Sequence, residues 1–135
     1  MGIQDADHEE SAPTAPTLLI TKLTRPLVCK SRTIKITPGS LVHQAYKREE
    51  VVEQFVCSFG LNPEFLDKIE EGQLNFSGVD IDGEVRVVEL ADHPFYVATL
   101  FQPQISSKPG NPHPLIVACL RAALAFQTSE ENPDR

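Results

Sequence analysis

The sequence predicts an α/β fold, and three observations carry that prediction. Residues 95–101, FYVATLF, are almost continuously apolar, the pattern of a strand covered on both faces in the middle of a sheet. Other short runs, RTIKI at 32–36 among them, alternate as half-buried strands do. Residues 62–72 and 115–126 carry helical spacing instead. Regular strand–helix alternation is absent, so the domain reads as α/β but incomplete.

The elements follow in order. Residues 1–16 are polar, end in APTAP and read as an arm outside the folded unit. LLITKL (18–23) has strand character, and Pro26 interrupts it. LVCK (27–30) and RTIKI (32–36) come next, with a hairpin expected around Lys30–Ser31. Ile34 and Ile36 point one way and Thr33 and Lys35 the other, so one face of this strand is buried. TPGS (37–40) is a turn signal. VVEQFVCSF (51–59) reads as a strand.

A helix is expected over 62–72. Asn62 can accept bonds from the first free amides, Pro63 fits the first turn, and Gly72 can end the helix. Phe65, Leu66 and Ile69 form its apolar stripe. Residues 73–80 and 84–90 read as two strands, and Asp82–Gly83 between them is a hairpin signal. After FYVATLF comes a proline- and glycine-rich loop, 102–114. A closing helix over 115–126 places Leu115, Ala118, Cys119 and Ala122 on one stripe, and 127–135 is a disordered tail. The folded unit is therefore 17–126.

Composition excludes several functions. The chain has 135 residues, which suits one domain. Its 12 basic and 19 acidic residues give a formal charge of −7, the wrong sign for a nucleic-acid surface. No run approaches the roughly 18 apolar residues of a membrane span. MGIQDADHEE is acidic, whereas a secretory leader starts basic and then turns apolar. The three cysteines, Cys29, Cys57 and Cys119, are odd in number and lack a CxxC pair. That is no disulfide framework and no zinc site, and it suits the reducing cytoplasm. No metal and no cofactor is expected.

Four groups of residues deserve a chemical reading. DADHEE (5–10) gathers carboxylates around His8, and the spacing matches a solvated acidic arm rather than a cation loop. Cys57 is the alternative nucleophile. It would need a base such as His43 or His93 to form a thiolate, and otherwise it is a small residue in mid-strand. Cys29 and Cys119 lie in apolar runs and read as packing residues. His93–Pro94 and His113–Pro114 precede apolar segments, where histidine orients or caps. Gln102 and Gln104 stand at the end of FYVATLF, the end at which open α/β sheets bind ligands. Glutamine forms hydrogen bonds but cannot serve as a general base.

At this loop the sequence resembles a known family. HPFYVATLFQPQISSKPGNPHPLIVACLRAAL (93–124) resembles the end of the class I glutamine amidotransferase domain of CTP synthase. The shared pieces are a His-Pro-aromatic strand entry, a strand ending in x-Pro-x, a Ser-x-Pro loop, His-Pro-Leu and a helix with Arg-Ala-Ala. LNPEFLDKIEEGQLNFSGVDIDGEVRVVEL (61–90) is similar to that domain's asparagine-proline helix, Phe-Ser-Gly strand and hairpin. TPGSLVHQAY (37–46) is similar to its Pro-Gly-Ser segment, and 2–13 to the stretch after its nucleophile helix. The likeness is greater still to stand-alone proteins related to the CTP synthase C-terminal region.

The resemblance implies a partial, flavodoxin-like amidotransferase sheet with β-hairpins and two main helices. The N-terminal strands and the nucleophile elbow are expected to lie before Met1. In the family a Cys–His–Glu triad hydrolyses glutamine, and the ammonia passes to a synthase domain that makes CTP. The family's His-Pro-Glu falls on Gln102–Pro103–Gln104, so no catalytic residue of that triad is expected intact. Its Arg-His-Arg segment falls on Phe55, Val56, Cys57 and Ser58. The expectation is a non-catalytic amidotransferase-like protein with a binding or partner role, in the cytoplasm. It would form a homo-oligomer or pair with a complementing N-terminal half. The alternatives are a part of a CTP synthase system in pyrimidine nucleotide biosynthesis, and an altered enzyme that uses Cys57.

Overall fold

A computed structural model describes residues 2–130. Strands are β1 (Ala6–His8), β2 (Thr17–Lys22), β3 (Lys30–Ile36), β4 (Glu50–Phe55), β5 (Phe59–Leu61), β6 (Leu74–Asp80), β7 (Val85–Leu90) and β8 (Val97–Thr99). Helices are α1 (Leu41–Tyr46), α2 (Leu66–Glu70, entered through a 3-10 turn at Pro63–Phe65), α3 (Pro103–Ser106) and α4 (Pro114–Glu130). The large sheet runs β4-β3-β6-β7-β8, and all its pairs are antiparallel. A small sheet runs β1-β2-β5, with β1 parallel to β2.

Alternation sets which side chains reach the core. Ile34 and Ile36 of β3 are buried while Lys35 is exposed, as the sequence pattern requires. They join Leu27, Val42, Phe55, Val87, Phe101 and Leu115 in one cluster. Phe55 and Phe101 meet edge to face with ring centroids 5.8 Å apart, a favoured aromatic geometry. The β6–β7 hairpin turns where expected. Gly83 adopts φ +79° and donates its N–H to Asp80 O at 3.0 Å. Asp80 Oδ1 accepts from the amides of Asp82 and Glu84, and Oδ2 accepts Arg86 Nε at 2.9 Å. Asp80 and Arg86 are both buried, so their charges neutralise each other inside the fold.

Asn62 Oδ1 accepts from Glu64 N at 3.1 Å and Pro63 sits in the first turn as expected, but what they cap is the 3-10 turn. Helix α2 itself starts at Leu66 with no side-chain cap and ends at Glu70, shorter than the expected 62–72 helix. Helix α1 was not anticipated from its composition. Ser40 Oγ accepts from His43 N, and the buried Glu89 accepts from Leu41 N and Val42 N. A carboxylate from β7 thus satisfies two of the amides that a helix start leaves open.

Several expectations are corrected. FYVATLF is not a central strand. Only Val97–Thr99 pairs, at the edge of the sheet, and Tyr96 and Ala98 are exposed. The burial follows period two across a one-sided edge, which an all-apolar run conceals. No hairpin forms at Lys30–Ser31, since both residues lie within β3. Residues 27–30 make a turn instead: Lys30 N bonds to Leu27 O, and Cys29 sits exposed at φ +54°. The 51–59 run splits into β4 and β5, which belong to different sheets. Residues 1–16 are not merely an arm, because β1 pairs with β2 there. Cys119 is exposed on α4 rather than packed, although Leu115 on the same helix is buried. Helix α4 continues past 126 to Glu130, so 127–130 is helical, and residues 131–135 of the expected tail lie outside the described residues.

Candidate functional site

The loop that follows β8 is tied to the end of β4. Gln102 donates its N–H to Gln54 O at 3.4 Å, and its side-chain Oε1 accepts Val56 N–H at 3.1 Å. Pro103 then opens α3, with Ile105 N bonded to Gln102 O. Gln104 is exposed on α3. The two glutamines therefore differ: one side chain is engaged with a backbone amide, and the other faces solvent. Neither can accept a proton at neutral pH.

Cys57 lies in the connector between β4 and β5, not in mid-strand. Its Sγ donates to Phe59 O at 3.1 Å and accepts from Phe59 N at 3.4 Å. His43 Nδ1 accepts from Gly39 N on α1's approach, and His93 Nδ1 accepts from Phe95 N in the turn before β8. Among the described residues no hydrogen bond joins Cys57 to either histidine. His93 and His113 behave as the orienting, capping residues the sequence implied: His113 Nδ1 accepts from Leu115 N at the start of α4. His8 bonds through Nδ1 to Glu10 N and lies against Phe59, with ring centroids 5.1 Å apart. Glu9 accepts from Lys22 N at 2.5 Å. No group of metal-binding side chains assembles among the described residues.

The most developed polar cluster was missed by the sequence reading. Strand β4 turns Glu53 and Phe55 inward and leaves Val52 and Gln54 outside. Glu53 Oε1 accepts the Tyr46 hydroxyl at 2.5 Å and His113 Nε2 at 3.0 Å. Because His113 Nδ1 already accepts a backbone N–H, its proton sits on Nε2 and points at the carboxylate. Tyr46 hydroxyl and His113 Nε2 are 3.1 Å apart. Burial first, and then the hydrogen bond and charge of Glu53, push the Tyr46 hydroxyl far above its ordinary range, so it remains a donor. Three elements thus converge: the end of α1, the middle of β4 and the start of α4. The signal in the sequence was Glu53 sharing the alternation of Val51 and Phe55, an acid on an otherwise apolar face.

No protein-family model matches the chain. It is 40% identical over 99 residues to a CTP synthase of Archaeoglobus fulgidus, covering 73% of this chain and 19% of that protein. It is 35% identical to a CTP synthase of Caldivirga maquilingensis across 98% of this chain and 26% of that protein. A CTP synthase of Methanopyrus kandleri is 32% identical across 91% of the chain and 25% of the relative. The chain therefore spans between a fifth and about a quarter of these relatives' length. Among solved structures, the glutaminase domain of Trypanosoma brucei CTPS with bound acivicin matches at a TM-score of 0.84 and 21% identity. That match covers 92% of this chain and 52% of the other. The expected α/β amidotransferase fold is thereby observed. Sequence and fold together make this chain a relative of the C-terminal region of the glutamine amidotransferase domain of CTP synthase.

Proposed function

We propose that the chain is an amidotransferase-like module that does not hydrolyse glutamine by the family mechanism and that acts by binding. The observation that carries this reading is Gln102. It occupies the family's histidine position by resemblance, and its Oε1 accepts the Val56 amide. A thiol nucleophile needs a proton acceptor, and general-base assistance is worth about 10²–10⁴-fold. An amide that cannot be protonated at neutral pH supplies none of it, and Gln104 at the family's glutamate position cannot compensate. The test is glutamate release from purified protein incubated with glutamine. No release above the spontaneous rate is expected. Glutamine turnover, or a covalent glutamine mimic found bonded to a cysteine beside Gln102 and Gln104, overturns the reading.

A second reading draws on the relatives' shared identity as CTP synthases. On it the chain serves as one piece of a CTP synthase system. Its test is glutamine-dependent CTP formation when the chain is mixed with the synthase part of such a relative.

A further inference from the structure

The Tyr46–Glu53–His113 cluster forms the floor of a cavity of about 480 Å³, within the size range of small-molecule sites. Glu53 is 5% exposed. Both of its bonds fall on Oε1, and Oε2 takes no hydrogen bond from the described residues. Among the described residues Ser77 Oγ is the buried side-chain atom sealed without a partner, so Oε2 keeps an opening, and the cavity that Glu53 lines provides it. That opening leaves Oε2 able to accept from a donor that enters the cavity. At the rim, the Arg48 guanidinium is exposed and has no ion pair or hydrogen bond among the described residues, and the same holds for the Asn111 side-chain amide. Val51, Pro112 and Pro114 add apolar wall. A buried acceptor, a rim cation and an apolar wall are together complementary to a zwitterion with an aliphatic body.

The geometry points to this cavity as a binding site for a small α-amino-acid-like zwitterion. Its ammonium group donates to Glu53 Oε2. Its carboxylate meets the Arg48 guanidinium and the Asn111 amide, and its side chain lies along Val51 and the two prolines. Tyr46 and His113 serve as positioning residues: their two donors fix Oε1 and so aim Oε2 into the cavity. The site is separate from Gln102, whose Oε1 engages the Val56 amide at the far end of β4.

The experiment is a titration of the full chain, followed by NMR chemical shifts, with three probes: L-leucine, N-acetyl-L-leucine and L-leucine methyl ester. Saturable shifts around Glu53, Arg48 and His113 are expected with L-leucine. Binding at least about tenfold weaker is expected for each blocked probe, because each loses one charge-assisted contact. Arg48→Ala, at an exposed position that leaves the core untouched, weakens L-leucine about tenfold and leaves the methyl ester unaffected. Absence of saturable binding by L-leucine, indifference to blocking of the amine, or full affinity in Arg48→Ala overturns the proposal. Glutamine hydrolysis is measured separately, so a negative titration does not bear on the glutaminase reading.

Discussion

His113 Nε2 lies 3.0 Å from Glu53 Oε1, across 60 positions of sequence. This bond fastens the start of α4 to the middle of β4, while His113 Nδ1 caps Leu115 N. One imidazole thus closes a helix end and satisfies a buried acid. Replacing it by alanine removes both bonds and leaves Glu53 with one donor. His113→Ala is expected to lower stability by roughly 2–4 kcal/mol, the sum of a lost cap and a lost bond to a charged group. Urea unfolding checks it: the midpoint falls while the slope stays that of the parent protein.

Tyr46 carries a pH prediction with a definite sign. Its hydroxyl is held above its ordinary value of 10.0 by burial and by Glu53. Above about pH 10 the unfolded chain releases this proton and the folded chain keeps it. The stability from the raised value is complete below the unfolded value and declines as pH rises beyond it, by up to about 1.4 kcal/mol per unit. Tyr46→Phe removes that component of the slope. It also costs about 1–3 kcal/mol at neutral pH by taking a donor from Glu53. Denaturant midpoints of both proteins between pH 8 and about 11.5 test this; equal alkaline slopes refute it.

Two acids of the β6–β7 hairpin should behave oppositely. Asp80 is sealed and holds Arg86 as well as two turn amides. Asp80→Ala leaves the buried guanidinium with only the half-exposed Glu84 as a partner and is expected to cost about 2–4 kcal/mol. Asp82 pairs with Arg32 at 3.3 Å, with its side chain 46% exposed. Asp82→Ala should change stability by less than about 1 kcal/mol. A pair of thermal or urea melts separates them, and similar losses would refute the assignment.

Gly78 allows a close approach in the middle of the large sheet. A Cβ there would stand 2.7 Å from Val87 Cγ2 and 3.0 Å from Ile34 Cγ2. Both neighbours are buried core residues, so neither has free space to yield into. Gly78→Ala is expected to destabilise by about 1–3 kcal/mol through overpacking. Val87→Ala in the same background should recover part of that loss, and a melt of the double variant no better than the single would refute the steric origin.

What was legible in the sequence followed from local rules. Asn62–Pro63 wrote a helix start, Asp82–Gly83 wrote a hairpin, and Ile34/Ile36 wrote a buried face. Each depends on neighbours within a few residues. What was not legible depended on partners far along the chain. Helix α1 is short, and a carboxylate from β7, Glu89, holds its first amides. FYVATLF could not reveal that one neighbour strand is available to it. Cys57 reads as a strand residue until β4 and β5 are seen to join different sheets. Of the polar cluster, only Glu53 left a trace, as an acid in an apolar alternation. Tyr46 and His113 are brought to it by the packing of α1 and α4.

The three thiols rank in an order that tests whether Cys57 is a nucleophile. Cys29 is exposed in a left-handed turn, and Cys119 is exposed on α4. Cys57 is half-buried, and its Sγ is engaged with the main chain of Phe59 as both donor and acceptor. Thiolate attack requires access and a base or cation nearby. The hydrogen bonds of His43 and His93 go to Gly39 and Phe95 instead. With a neutral disulfide reagent at pH 7, Cys29 and Cys119 are therefore expected to react first, and Cys57 at least about tenfold more slowly. Peptide mapping after timed quenching reads each site separately. A Cys57 that labels ahead of both exposed thiols would mark it as an activated nucleophile and would favour the altered-enzyme reading over the non-catalytic one.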